Sequence, residues 1–241
     1  MIIGGLEKLT LIDYPDHLAA IIFTQGCNFR CHFCYNPMLV WPMAGADVKN
    51  KKEKGLREFN LDYLFLFLKE RFGRLEGVVI TGGEPTLQPD LIPFIKKIKK
   101  IGYLVKLDTN GTNPIMLNKL IEDDLIDYVA MDLKAPLDRY EKVVGVPVNC
   151  SNIEKSVKII MQSRLPYEFR TTVVPGLLEK SDFSLMGEFI QGASKWYLQK
   201  FKSDTNLVDG NYKLTKAYSD REMKEFASIG QKYVKLCEVR T

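Results

Sequence analysis

Three cysteines stand in the stretch Cys27-Asn28-Phe29-Arg30-Cys31-His32-Phe33-Cys34, directly after the apolar run Leu18–Thr24. Three thiolates at CxxxCxxC spacing can hold three irons of a cubane, whereas Fe–S clusters are commonly held by four. The fourth iron is then open to a ligand that is not protein. An iron with an open position can bind a small molecule and pass it an electron, so such a cluster is a reagent. A structural zinc site wants four ligands, usually as two remote pairs. His32 lies too close to Cys31 and Cys34 to complete that tetrahedron. Disulfides are not expected, because five cysteines is an odd number and Met1-Ile-Ile-Gly-Gly runs into Glu7 and Lys8 with no apolar signal region. Cys150 and Cys237 are isolated and read as ordinary thiols.

Further along, each apolar run ends in something polar. Gly77–Thr81 leads into Gly82-Gly83-Glu84-Pro85, Tyr103–Asp108 into Thr109-Asn110-Gly111, and Ile126–Asp132 into Leu133-Lys134. Glu168–Val174 contains Arg170-Thr171-Thr172 and stops at Pro175-Gly176. Singly these are modest signals: Gly82-Gly83 suits any turn that needs positive φ, Asn110-Gly111 is a common turn pair, and Asp132 with Lys134 also reads as a structural ion pair. Together, at the carboxyl edge of one sheet, they would surround one cavity.

The elements that must position them alternate. The four runs just named, Leu18–Thr24 and Trp196–Phe201 read as strands, with a last strand expected at Tyr233–Val239. Between them, Asn60 is expected to cap a helix over Leu61–Phe72, and Pro89 to sit in the first turn of a helix stopped by Gly102. Asn113-Pro114 begins another helix, and Ser151 with Glu154 and Ser219 with Glu222 read as capping boxes. Six βα units are too few for a closed eightfold barrel, so the expected fold is α/β, a partial (β/α)6 barrel in a single domain over 1–241. Val48–Asn60, holding Lys49, Lys51, Lys52, Lys54 and Arg57, reads as an exposed loop or lid, and Lys202–Lys213 as a surface loop.

With 46% hydrophobic and 27% charged residues, the composition is that of a globular protein. No apolar run reaches the roughly 18 residues of a membrane span, and no membrane association is expected. A net charge of +4 and a pI near 8.6 fall short of a dedicated nucleic-acid domain. The lysines at 96, 97, 99 and 100 interleave with Ile95, Ile98 and Ile101, the pattern of a solvated helix face. The cytoplasm, under anaerobic conditions, is the expected setting.

With those residues in place, the chain resembles the radical S-adenosylmethionine (SAM) superfamily along nearly its whole length. Leu11-Ile-Asp-Tyr-Pro15 and Phe23–Pro37 are similar to the activating enzymes of glycyl-radical proteins, most of all to the anaerobic ribonucleoside-triphosphate reductase activating proteins. The resemblance implies that Cys27, Cys31 and Cys34, in a loop over 25–37, ligate a [4Fe–4S] cluster whose remaining iron is chelated by SAM. It places Phe33 along the adenine and Gly82 and Gly83 near the methionyl amine, and counts Tyr35 and Glu84 among the SAM-binding residues. Asp108, Thr109, Asp132 and Lys134 fall around the SAM carboxylate, with a monovalent cation in some relatives, and Arg170 falls near SAM. Tyr14-Pro15-Asp16-His17 departs from the Pro-Gly-x-Arg stretch of many activases. The activity so implied is reductive cleavage of SAM, with an electron from flavodoxin or ferredoxin, to a 5′-deoxyadenosyl radical that makes a glycyl radical on a partner enzyme. Two alternatives stay open: a radical SAM enzyme acting on a small molecule or peptide, and a non-catalytic Fe–S electron carrier.

Overall fold

The computed structural model describes residues 1–41 and 59–240. The basic segment Lys49–Arg57 lies outside the described residues. The chain groups into two compact units, one of Met1–Asn28, Met38–Thr109 and Asn113–Val129, the other of Phe29–Pro37, Asn110–Thr112 and Ala130–Thr241.

In the first unit β1 (Ile3–Thr10) pairs antiparallel with β2 (Ala19–Thr24), and β2, β3 (Gly77–Gly82) and β4 (Leu104–Thr109) run parallel. Ala19–Ile22 and Val78–Ile80 are buried throughout, which explains why these runs read as continuously apolar: a parallel strand is covered on both faces. The strand β1 was not expected. Its sequence IGGLEKLT buries only Ile3 and Thr10, so it has no apolar alternation; backbone pairing to β2, with two register shifts, makes it a strand.

Among the described residues this unit holds the helices α1 (Pro37–Val40, from Met38 on), α2 (Leu61–Arg71), α3 (Leu91–Ile101) and α4 (Pro114–Glu122). Asn60 caps α2 as expected, its side chain accepting from the N–H groups of Asp62 and Tyr63 at 2.8 and 3.1 Å. Asn113 caps α4, with Pro114 in the first turn. In α3, Leu91, Phe94, Ile95 and Ile98 are buried, a helical face of period 3.6. Asp90 stands at the N-cap, so Pro89 shapes the approach to α3 and is not in its first turn. Gly102, at φ 113°, ends the helix. The lysine face is solvated except at Lys99, whose ammonium is paired with Asp127 at 2.7 Å.

The strand β5 (Tyr128–Asp132) divides between the units, Ala130–Asp132 belonging to the second. There β6 (Tyr167–Val173), β7 (Lys195–Lys200) and β8 (Leu236–Arg240) run parallel, with helices α5 (Tyr140–Val144), α6 (Cys150–Gln162), α7 (Asp182–Phe189) and α8 (Asp220–Gly230). Ser219 and Glu222 form the expected capping box. Ser151 does not cap α6. Asn149 does, accepting from Ser151 N–H at 3.1 Å, because the chain turns helical at Cys150 and leaves Ser151 inside the first turn. β8 starts three residues later than expected, after Tyr233 and Val234 close a turn on the Gly230 carbonyl. Trp196 is fully buried and donates its indole N–H to Thr171 Oγ1 at 2.9 Å, while Phe183 stacks on Phe226. These contacts fix β6 against β7, and so fix the strand that carries Arg170.

Candidate active site

In the first unit, the ends of β2, β3 and β4 are tied together by backbone. Gly83 N–H donates to the Thr24 carbonyl and Glu84 N–H to the Gly26 carbonyl, both at 2.9 Å. Gly26 N–H donates to Leu39 at 2.7 Å and Cys27 N–H to Val40 at 3.3 Å, so the start of the cysteine loop is anchored on α1. A Cβ on Gly83 would stand 2.1 Å from the Gly26 oxygen, and one on Gly82, at φ 116°, would stand 2.3 Å from Thr24 N. Glycine is therefore required here by the packing of the chain on itself, before any ligand is considered. A Gly83→Ala chain should lose about 3 kcal/mol from overpacking against backbone, read as a melting temperature lower by about 2–4 °C per kcal/mol; an unchanged melting temperature would show that the Gly26 peptide can give way.

Glu84 is fully buried, and its carboxylate accepts from Thr86 N–H at 3.0 Å, Thr86 Oγ1 at 2.5 Å and Thr109 Oγ1 at 2.8 Å. It thus locks the turn after Gly83 to the end of β4. Asp108 is paired with Lys106, two residues away on the same face of β4. Lys106 is 1% exposed and its ammonium lies 5.9 Å from the Tyr128 ring centre. It was not singled out in the sequence, although the alternation Lys-Leu-Asp was legible.

The second unit brings Cys31, Phe33, Asp132, Lys134, Tyr140 and Arg170 together. Asp132 accepts from Lys134 Nζ and Arg170 Nε, each at 2.9 Å. Burial works to raise the Asp132 carboxyl, but Arg170 and Lys134 override it and hold it well below the usual carboxylate range. Burial opposes the Lys134 ammonium, yet Asp132 and the Cys31 side chain keep it above its ordinary value. Cys31 is 7% exposed, and burial, opposed by Lys134, pushes its thiol up to about 11. Phe33 is buried with its ring centre 5.7 Å from the Lys134 ammonium. Tyr140, which carried no sequence signal, accepts from Lys134 N–H at 3.3 Å. Asp132 thus holds the Lys134 and Arg170 cations side by side, near the loop that bears Cys31 and Cys34.

Cys27 belongs to the first unit, and Cys31 and Cys34 to the second. None of the five cysteines is in a disulfide. Among the described residues no three His, Cys, Asp or Glu side chains converge as a ready metal site. The donor chemistry still fits an iron–sulfur cluster: three soft thiols within eight residues, with no carboxylate in the Cys27–Cys34 loop to favour a hard cation. Tyr35, expected among the SAM-binding residues, accepts at its hydroxyl from Lys202 N–H at 2.9 Å and stacks on Phe201.

The chain is similar to known proteins in sequence and in fold. The family model of the radical SAM superfamily matches residues 21–183. MJ1227 of Methanocaldococcus jannaschii, provisionally named a glycyl-radical enzyme activating enzyme, is 32% identical over 245 residues, covering 100% of this chain and 96% of its own. The pyruvate formate-lyase-activating enzyme of Staphylococcus epidermidis is 30% identical over 206 residues, 82% of this chain and 78% of its own. Among solved structures, SuiB of Streptococcus suis superposes with a TM-score of 0.61 at 16% identity, over 92% of this chain and 48% of SuiB. TYW1 with a bound lysine-pyruvate adduct gives 0.58 at 16% identity, over 89% and 73%. The chain belongs to the radical SAM superfamily, within its glycyl-radical enzyme activating group, and its α/β fold is the partial barrel of that superfamily. No helix among the described residues is long and apolar enough to cross a membrane.

Proposed function

We propose that the protein installs a glycyl radical on a partner enzyme, and that the partner is the anaerobic ribonucleoside-triphosphate reductase. The carrying observation is the 32% identity to MJ1227 over the whole of this chain, in a fold whose strand ends carry the charged cluster described above. In this reading Cys27, Cys31 and Cys34 hold a [4Fe–4S] cluster. Phe33, Tyr35, Gly82, Gly83, Glu84, Asp108, Thr109, Asp132, Lys134 and Arg170 form the SAM site. When bound, cluster and SAM supply a one-electron cleavage of the sulfonium that yields methionine and a 5′-deoxyadenosyl radical able to take a glycine α-hydrogen.

The protein's own part is binding and orientation. Lys134 and Arg170 receive the SAM carboxylate, and Asp132, bonded to both, keeps the two cations in one arrangement. Glu84 holds the turn at Gly82-Gly83 through its three donors, which presents backbone polar groups at the strand ends. The buried Phe33 ring and the aromatic pair Tyr35–Phe201 exclude water from the loop. Flavodoxin or ferredoxin is the electron donor in this reading, a monovalent cation beside the SAM carboxylate is a further element of it, and the cytoplasm is the setting.

Reduced protein and SAM, mixed with the reductase of the same cell, should produce a glycyl EPR doublet on the reductase. A doublet on another glycyl-radical enzyme and none on the reductase would reassign the partner.

A further inference from the structure

The polar segment after β7, which reads from sequence as a plain surface loop, is bonded to the cysteine loop at two places, through Phe201 and Lys202 and through Val208, Asp209 and Tyr212. Phe201 stacks on Tyr35, ring centres 6.3 Å apart and planes 17° from parallel. Lys202 N–H donates to the Tyr35 hydroxyl at 2.9 Å. Val208 N–H donates to the Cys34 carbonyl at 3.3 Å, and Asp209 N–H to the His32 carbonyl at 3.0 Å. Asp209 Oδ2 lies 3.4 Å from His32 Nδ1, and Tyr212 stacks on the His32 ring at 5.6 Å and 20°. Asp209 also caps the short helix Gly210–Leu214 by accepting from Asn211 N–H at 3.0 Å, which fixes where Tyr212 stands.

Two features show that this is a grip and not incidental packing. The contacts alternate between backbone and side chain, and they fall on the residues flanking Cys31 and Cys34: His32 between them and Tyr35 after them. The backbone bonds to the His32 and Cys34 carbonyls set the direction of the peptides that carry the two thiols. The ring stacks cover that stretch from the side. Another anchor of this stretch is Arg30 N–H on the Val144 carbonyl at 2.8 Å, so the loop is held ahead of Cys31 by the end of α5 and after it by this segment.

We propose that residues 201–214 form a clasp, with Asp209 and Tyr212 as positioning residues that keep Cys31 and Cys34 arranged to retain the cluster. This rests on the reading of Cys27, Cys31 and Cys34 as cluster ligands. Groups behind the direct ligands orient them, and losing such groups weakens metal retention about 10- to 100-fold. The clasp acts on the peptide and ring of His32, not on the metal.

The test uses the full chain, reconstituted anaerobically with iron and sulfide, as wild type, Asp209→Ala/Tyr212→Ala and Tyr212→Phe. Iron release to an excess of ferrous chelator is timed by absorbance, and the melting temperature of each metal-free chain is recorded. Both substituted side chains are half-buried, and losing the Asp209 cap costs about 1 kcal/mol, so the double variant should melt within about 2–4 °C of the wild type while releasing iron about 10- to 100-fold faster. Tyr212→Phe keeps the ring stack and should release at the wild-type rate. Equal release from the double variant and the wild type would overturn the clasp. Faster release accompanied by a loss of melting temperature in the metal-free chain well beyond the about 2–4 °C of the lost cap would also overturn it, since the segment would then serve the fold alone. A wild-type chain that takes up no iron would overturn the ligand assignment itself, a result distinct from either.

Discussion

Replacing any one of Cys27, Cys31 and Cys34 with alanine is expected to abolish the cluster, while Cys150→Ala and Cys237→Ala leave it intact. Anaerobic reconstitution should give about four irons and four sulfides per wild-type chain and close to none in each of the first three variants. Three protein thiols are already the minimum for this cubane, so there is no spare ligand to take over. The other two cysteines have settled roles elsewhere. Cys150 starts α6 and its thiol donates to the Leu137 carbonyl at 3.4 Å. Cys237 is buried on β8, where burial pushes its thiol up to about 12, so it is a protonated core group near neutrality. If Cys150→Ala or Cys237→Ala also lost the cluster, a fourth protein ligand would exist and no iron would be left for SAM.

Asp132→Ala should do the second-largest damage, to stability and chemistry together. Lys134 and Arg170 side chains are each 13% exposed and share this one carboxylate. Removing it takes an ion-pair partner from each of two poorly solvated cations, and breaking a buried pair costs about 3–5 kcal/mol. The Asp132 side chain is itself 26% exposed, which puts the expected loss at the lower end, about 3 kcal/mol. With the two cations free to separate, SAM cleavage should fall by up to about 100-fold, the scale of a misplacement of about 1 Å. Chemical unfolding measures the first and methionine release the second; wild-type values for both would remove the triad from the site.

The same triad fixes the pH dependence. The folded Asp132 carboxyl lies below its unfolded value of about 3.9, so its contribution is fully present above that value and is lost as pH falls through the folded value. The Lys134 ammonium is raised, so its contribution is present below its unfolded value of about 10.4 and is lost only at higher pH. Between about pH 5 and 9 the triad's contribution should be flat, and the Asp132→Ala chain should show less acid sensitivity below about pH 4 than the wild type.

What was legible in the sequence follows from what each signal depends on. The inner strands were visible because parallel strands buried on both faces are written as unbroken apolar runs. Asn60, Asn113, Gly102 and the Ser219–Glu222 pair were visible because caps are local chemistry. β1 was hidden, since IGGLEKLT is a strand only by pairing with β2, and the start of α6 was misplaced because Asn149 and Ser151 are both good cap residues two positions apart. In the site, the residues on strand ends were named from their positions, including Arg170, which meets Asp132 across 38 residues of sequence. Lys106 and Tyr140 were missed: the first is a buried partner of Asp108, the second meets Lys134 only through tertiary packing. The clasp was missed for a similar reason. Nothing in the composition of Lys202–Lys213 says which loop its backbone N–H groups will face.

The glycine deuterium experiment tests the central claim most directly. Reduced protein and SAM are incubated with anaerobic ribonucleoside-triphosphate reductase whose glycines carry α-deuterium, and the 5′-deoxyadenosine formed is analysed by mass spectrometry. Transfer of one deuterium into 5′-deoxyadenosine, together with the glycyl doublet on the reductase, is the result the account predicts. SAM consumed to 5′-deoxyadenosine with no deuterium from this reductase or any other glycyl-radical protein of the cell would contradict it, and would move the protein to the radical SAM enzymes that act on small molecules or peptides.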